Sequence, residues 1–204
     1  DFGALREAYP ALTQDETRDM LRAMLQNPRK RELEQASFTL LYGGMSLAAL
    51  THLTRHRMQS LAAPDLLRAA RYDRYVLPES VVSAGMEARY RAAFSLAELA
   101  AQKQKKLGAG EDVLSYLLVS GLKVPAVSTM NAGELVTFFR LRTCDRAQWE
   151  IRELATEALK VLREAHPVLF SLYGPTCFMT GACPEGKMCC GKTQQAREKF
   201  SGTL

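Results

Sequence analysis

Long apolar runs are missing from this chain. No stretch approaches the roughly 20 residues needed to cross a bilayer, which excludes a helical membrane span. No charged-then-apolar leader stands at the start, and the first residue is Asp1 rather than Met, so the start is expected to be trimmed, processed or internal to a longer chain. Internal repeats and a clear linker are also absent. Histidine is scarce, at 3, and tryptophan is single, so each of these residues is conspicuous as a candidate. A strong charge excess is lacking too: 27 Lys and Arg against 22 Asp and Glu leave +5, spread along the chain apart from Arg29, Lys30 and Arg31. That balance is not the composition of a nucleic-acid-binding protein, although a mild basic excess suits a site for anionic nucleotides. The expectation is a cytoplasmic protein with neither a membrane nor a nucleic acid as partner.

What is present is enough for one domain with a proper core: 204 residues, 47% hydrophobic and 24% charged. Thr13 with Glu16 three residues later fits a capping box, followed by Met20, Leu21, Met24 and Leu25 at helical spacing. Residues 36–43 read as a strand closed by Gly43 and Gly44, and Ser46 then caps a short helix through Leu53. The chain beyond Pro64 is expected to be helical and residues 72–77 extended. The longest helix is expected over residues 81–106, with Val82, Met86, Tyr90, Phe94, Ala97 and Ala101 on one face. Gly108 and Gly110 break it, and a short helix follows over residues 111–120. Residues 124–129 form a strand that Pro125 places at a sheet edge. Asn131 caps a helix through Leu141, and another runs from Arg146 to about Glu164. From Gly174 onward the sequence reads as a tail or loop. Helices packed on a modest sheet make an α+β domain.

Two constellations carry chemistry. Arg55-His56-Arg57 ends a short helix just after a strand. Two guanidiniums around an imidazole suit phosphate, carboxylate or a flavin ring, and equally suit a helix C-terminus whose dipole favours positive charge. The second is Cys177, Cys183, Cys189 and Cys190, four of the five cysteines within fourteen residues. Zinc, an iron–sulfur cluster, a disulfide and unpaired thiols all remain open, because the spacing is not the paired C-x2-C pattern. Cys144 reads as a small buried hydrophobe.

The stretch from Leu33 to Leu40, then Ser46, then Arg55-His56-Arg57-Met58-Gln59-Ser60, resembles the signature region of the flavin-dependent thymidylate synthases. Asn131-Ala132, Phe139-Arg140-Leu141-Arg142 and Ala147-Gln148-Trp149-Glu150-Ile151-Arg152 resemble that family's C-terminal motif in type, order and spacing. The likeness runs from about Asp15 to Tyr173. It implies the family's fold, with helices on a small, mostly antiparallel sheet in a single domain over residues 1–173, and leaves residues 174–204 as a Cys-rich C-terminal tail. It also implies a homotetramer with sites shared between subunits, and FAD as cofactor. In the implied reaction a methylene group passes from methylenetetrahydrofolate to C5 of dUMP to give dTMP, and NADPH reduces the flavin. No cysteine nucleophile is needed. By the same resemblance Arg55, His56, Arg57 and Asn131 serve the cofactor. Arg142 is catalytic and reaches the nucleotide base, and His52 and Arg71 lie on the substrate side.

The chain also departs from the pattern. Asp65 stands at a serine position, and Arg71-Tyr72 replaces the family's Arg-Tyr pair only across a local insertion. Gln35 and Arg146 stand where the family has histidine, His52 where it has glutamine, and Ser115 where it has arginine. Two readings follow: a divergent thymidylate synthase, or a relative that binds flavin or nucleotide while partnering an active subunit or acting on another pyrimidine.

Overall fold

The computed structural model describes residues 11–202 and residue 204, and resolves into two compact units. One is drawn from residues 11–38 and 131–204, the other is Thr39–Met130.

Thr39–Met130 holds most of a three-stranded sheet in the order β1-β3-β2, from β1 (Ser37–Ser46), β2 (Ser60–Ala62) and β3 (Lys123–Asn131). β2 pairs antiparallel with β3, Leu61 opposite Ser128. Between β1 and β3, Thr39 and Thr129 share a hydroxyl bond of 2.8 Å, and further on the Leu47 N–H donates to the Leu122 carbonyl at 3.0 Å. One number rises as the other falls, so this pair is antiparallel as well. Along β3, Val124, Ala126, Ser128 and Met130 are buried and the residues between them are not, the alternation of a half-buried strand.

Two strand expectations are corrected here. β3 is the central strand, not an edge. Continuing the β2–β3 register puts Pro125 opposite Pro64, two residues beyond the end of β2, so its missing N–H breaks no ladder bond. Gly43 and Gly44 lie within β1 instead of closing it. Neither needs a positive φ, and the open side of Gly44 meets only the aliphatic stem of Lys123, at 3.7 Å. β2 itself, three residues long, carried no sequence signal.

Ser46 caps α2 (Leu47–Leu53), its Oγ accepting from the Ala49 N–H at 3.0 Å. α3 (Leu66–Ala69) is capped by Asp65. The expected single long helix is two: α4 (Glu79–Ser83) and α5 (Glu87–Lys106). Gly85 separates them in a left-handed conformation at φ 66°, which a helix interior does not accommodate. Only Phe94 of α5 is buried; its ring stacks on Tyr75 at 4.3 Å and lies 5.1 Å from Tyr90. Leu96 and Leu99 face outward at 66% and 61% exposure. α6 (Glu111–Ser115) is shorter than expected.

The other unit is helical. α1 (Gln14–Gln26) opens on the Thr13–Glu16 capping box, and a 3-10 turn over Arg31–Gln35 buries Leu33. α7 (Ala132–Arg142) starts at Asn131, whose Oδ1 accepts from the Glu134 N–H at 2.8 Å. α8 (Trp149–Ala165) begins three residues later than the sequence suggested, because the Gln148 side chain accepts from the Ile151 N–H at 2.9 Å and caps it there. Leu135, Phe138, Phe139, Ile151, Ala155, Leu159, Phe170 and Tyr173 are all fully buried and form the core. The segment after Gly174 carries α10 (Thr176–Thr180), a 3-10 turn over Gly186–Met188 and α11 (Thr193–Ser201), with α9 (Pro167–Phe170) just before it. Arg163 anchors this part by donating to the Phe170 and Tyr173 carbonyls at 3.0 and 2.9 Å. Among the described residues no helix is long and apolar enough to cross a membrane.

Candidate active site

In Thr39–Met130, Arg55, His56 and Arg57 occupy the turn that follows α2. His56 is buried at 5% exposure, with its backbone N–H donating to the Leu53 carbonyl at 3.1 Å. Arg55 and Arg57 are exposed, and neither guanidinium has a hydrogen-bond or ion-pair partner among the described residues. Met58 beside them is 74% exposed. The turn is held from below by Gln59. Its Nε2 donates to the Leu53 carbonyl at 2.6 Å, and its Oε1 accepts from Ser128 Oγ on β3 at 2.7 Å. Gln59 was visible in the sequence only as part of the motif; its clamp depends on the β2–β3 register, which the sequence does not display.

His52 is half-buried on α2 and engaged with neighbouring groups. Arg71 is bound to Asp73, Nε to Oδ1 at 3.2 Å, and this arginine holds the Asp73 carboxyl below its usual range. Asp65, at the family's serine position, accepts from the Leu67 and Arg68 N–H groups at 2.9 and 3.3 Å and pairs with the Arg68 side chain at 3.4 Å. Ser115 Oγ donates to the Asp112 carbonyl at 2.6 Å. On β1 the Tyr42 hydroxyl is buried with no hydrogen-bond partner among the described residues, and burial pushes its ionisation far up.

In the helical unit, Asn131 spends its side-chain oxygen on the α7 cap, and its amide nitrogen has no partner among the described residues. The C-terminal end of α7 and the turn before α8 open onto a cavity of about 430 Å³. Arg140, Arg142, Arg146, Arg152, Lys192 and Lys199 line it, against two acids, Asp145 and Glu185. Asp145 is already committed: Lys192 lies 2.8 Å away and Arg152 3.0 Å away, and Lys192 first, with burial opposing, brings its carboxyl below the ordinary range. Arg140 reaches Thr176 Oγ1 at 3.5 Å, and Arg146 Nε donates to the Met188 carbonyl at 3.0 Å. Arg142 is half-buried and has interactions of its own. With one of two acids neutralised, the wall carries a clear positive excess suited to phosphate or carboxylate.

The metal expectation for Cys177, Cys183, Cys189 and Cys190 finds no support in the geometry. Among the described residues no three His, Cys, Asp or Glu side chains gather as a metal would require, and all five cysteines are free thiols. The thiols are split between neighbours instead: Cys183 beside Cys189, and Cys177 under the influence of Cys144 and Cys190. Cys144 is half-exposed on the cavity wall, not the buried hydrophobe its sequence context suggested.

The model of the family described as thymidylate synthase complementing protein matches residues 3–168. A flavin-dependent thymidylate synthase of Geobacter sulfurreducens is 35% identical over 213 residues, covering 97% of this chain and 90% of that protein. One from Clostridium tetani is 31% identical, covering 96% and 86%. Among solved structures, the UMP/dUMP methylase PolB from Streptomyces cacaoi, bound with 5-Br dUMP, superposes with a TM-score of 0.71 at 17% identity, covering 83% of this chain and 85% of that one, a likeness of fold. With both motif blocks in place and the match extending over most of its length, the chain belongs to the flavin-dependent thymidylate synthase family.

Proposed function

We propose that this protein methylates dUMP to dTMP, with methylenetetrahydrofolate as carbon donor, FAD as hydride carrier and NADPH as reductant. The observation that carries the reading is the Arg55-His56-Arg57 turn. It presents two exposed guanidiniums with no partner among the described residues, on either side of the buried His56, on a base clamped by Gln59. Two exposed guanidiniums on neighbouring positions leave their donors open to an anionic ligand. The donor set of this turn fits the phosphates and ring edge of FAD, with Arg55, His56 and Arg57 as the residues that would hold it; in the helical unit the open amide nitrogen of Asn131 is a separate donor for the cofactor. FAD, when bound, supplies the hydride that completes the methyl group. The chain's own contribution is positional and electrostatic. Arg142, in a cation-lined cavity, would meet the pyrimidine and stabilise the negative charge that develops as C5 becomes nucleophilic. His52 and Arg71 would complete the substrate side, Arg71 by exchanging its exposed bond to Asp73 for a phosphate.

The family relatives named above are flavin-dependent thymidylate synthases, and this supports the assignment of reaction and cofactor. A cytoplasmic homotetramer with shared sites suits two features. Leu96, Leu99, Leu107 and Tyr116, at 61–90% exposure, are a costly set to leave in water. Five free thiols suit a reducing compartment.

A second reading is favoured by one observation: Asp65 holds the serine position with a carboxylate that binds Arg68. A nucleotide phosphate approaching there meets negative charge, so another pyrimidine or another pose is served better. The solved neighbour is a methylase of UMP as well as dUMP. One experiment separates the readings. The full chain is loaded with FAD, reduced, and mixed with methylenetetrahydrofolate and either dUMP or UMP, while flavin reoxidation and methylated product are followed. Product from dUMP supports the first reading and product from UMP alone the second. A chain that takes up no FAD refutes both.

A further inference from the structure

The methylation reading uses no thiol, yet all five cysteines lie in the helical unit, each partly exposed and none in a disulfide. Cys144, Cys177, Cys183 and Cys190 line the same cavity as Arg140, Arg142 and Arg146. The fifth, Cys189, has the most distinctive surroundings. The Gly191 N–H donates to its sulfur at 3.4 Å. Gly191 sits at φ 76°, a left-handed conformation that only glycine adopts without strain, and this turn aims the N–H back at a sulfur two residues earlier. Arg146, tied to the adjacent Met188 carbonyl at 3.0 Å, holds its positive charge beside the same sulfur. Gly186, at φ 51°, starts the 3-10 turn Gly186–Met188, which folds the chain so that Cys183 comes alongside Cys189. An N–H donor, a guanidinium and a second thiol around one sulfur make the surroundings of a reactive cysteine with a resolving partner.

We propose that Cys189 and Cys183 form a thiol–disulfide exchange site for anionic low-molecular-weight disulfides. The Cys189 thiolate attacks one sulfur of the disulfide, breaking its S–S bond, and the first half leaves as a thiolate that takes a proton from water. Cys183 then loses its proton to solvent and attacks the Cys189 sulfur of the mixed disulfide, releasing the second half as thiol. One disulfide is reduced to two thiols, and the two protein thiols are oxidised to one Cys183–Cys189 bond. The class of reagent follows from the cavity that the resolving partner Cys183 lines. Six cationic side chains against two acids concentrate a disulfide that carries carboxylates and disfavour a cationic one. The new bond would close a seven-residue loop holding Pro184 and Glu185, both on the cavity wall, so oxidation would reset the wall that Arg142 shares. Cys177 is a poorer first nucleophile: burial, then the neighbouring Cys144 and Cys190, push its ionisation up, whereas the Gly191 N–H, then Cys183, then Arg146 hold Cys189 down.

The test uses the full reduced chain with glutathione disulfide, quenched at intervals and mapped by mass spectrometry without reduction. It reads thiol chemistry only, so its outcome is separate from that of the methylation assay. The expected first product is the Cys183–Cys189 disulfide. C183S should accumulate glutathione on Cys189 in preference to the other three cysteines, a selectivity that misfolding does not produce. C189S should slow the first exchange about tenfold or more. Cystamine, the cationic counterpart, should react more slowly than glutathione disulfide, with the gap closing at high salt. The proposal is overturned if the first bond maps to Cys144, Cys177 or Cys190, if C189S reacts as fast as the native chain, or if zinc co-purifies with the protein and blocks exchange until it is chelated.

Discussion

Replacing Gln59 by leucine tests whether the Arg-His-Arg turn is positioned by one side chain. The amide makes two hydrogen bonds, to the Leu53 carbonyl at 2.6 Å and from Ser128 Oγ at 2.7 Å, and leucine makes neither. The two losses are unequal. The Leu53 carbonyl keeps the His56 N–H at 3.1 Å, so it is not stranded. Ser128 is fully buried, and its hydroxyl loses the partner it now has. One ordinary hydrogen bond near 1 kcal/mol plus a buried orphaned hydroxyl at about 1–3 kcal/mol gives roughly 2–4 kcal/mol of lost stability. Adding Ser128→Ala removes the orphan and should return about 1–2 kcal/mol of that, although Ser128→Ala alone destabilises; this non-additive recovery marks a direct contact. Urea unfolding reads it, as a shift in midpoint with slope unchanged. FAD affinity should fall in Gln59→Leu, since the guanidiniums lose their fixed base. If Gln59→Leu unfolds within 0.5 kcal/mol of the native chain, or if the double variant is simply the sum of the singles, the clamp does not exist as described.

Three further outcomes follow from the same geometry. Arg55→Ala should leave unfolding within about 0.5 kcal/mol of the native chain, because the side chain is exposed and unpartnered, yet weaken FAD binding about tenfold or more in a fluorescence titration. Asp65→Ser keeps an N-cap for α3 and removes the carboxylate at Arg68, so stability should hold while the KM for dUMP falls; an unchanged or higher KM counts against Asp65 as the obstacle. The Asp145 carboxyl is held low in the folded state, first by Lys192. Its stabilising contribution is therefore complete above the unfolded carboxylate pKa, near 4, and is lost as pH falls through the lower folded value. The thermal midpoint of Asp145→Asn should lie below that of the native chain near neutrality, and the two should converge in acid; parallel curves down to low pH would refute the linkage.

How much of this could be read beforehand depended on whether the signal was local. Thr13 with Glu16, Ser46 and Asn131 each announce a helix start through a side chain that satisfies an N–H three residues on, and all three caps are present. Pairing information was not local. β2 is too short to show alternation, and Pro125 looked like an edge residue because nothing near it tells where the neighbouring strand stops. A single glycine, Gly85, was indistinguishable from one tolerated within a helix until its φ was known. The site divides in the same way. The Arg-His-Arg and Ala-Gln-Trp-Glu-Ile-Arg blocks were legible as motifs. The Gln59 clamp and the cation-lined cavity were not, because each joins residues from separate parts of the sequence: Gln59 with Ser128, and Arg140 to Arg152 with the helices after Gly174.

The changed positions and the retained ones differ in what they bind, and that difference bears on whether this is a working site. Asp65 caps α3 and holds Arg68; Ser115 bonds the Asp112 carbonyl; Arg146 bonds the Met188 carbonyl. These three departures from the family pattern have thus acquired contacts inside the chain. Arg55 and Arg57 have none among the described residues. Two exposed guanidiniums flanking a buried histidine in the sequence cost the fold little in water, and they leave donors open to an anionic ligand. On the reading proposed above, the open donors lie on the cofactor side, and the substrate side, where Asp65 and Arg68 bind each other, is where this chain's specificity has room to differ from its relatives.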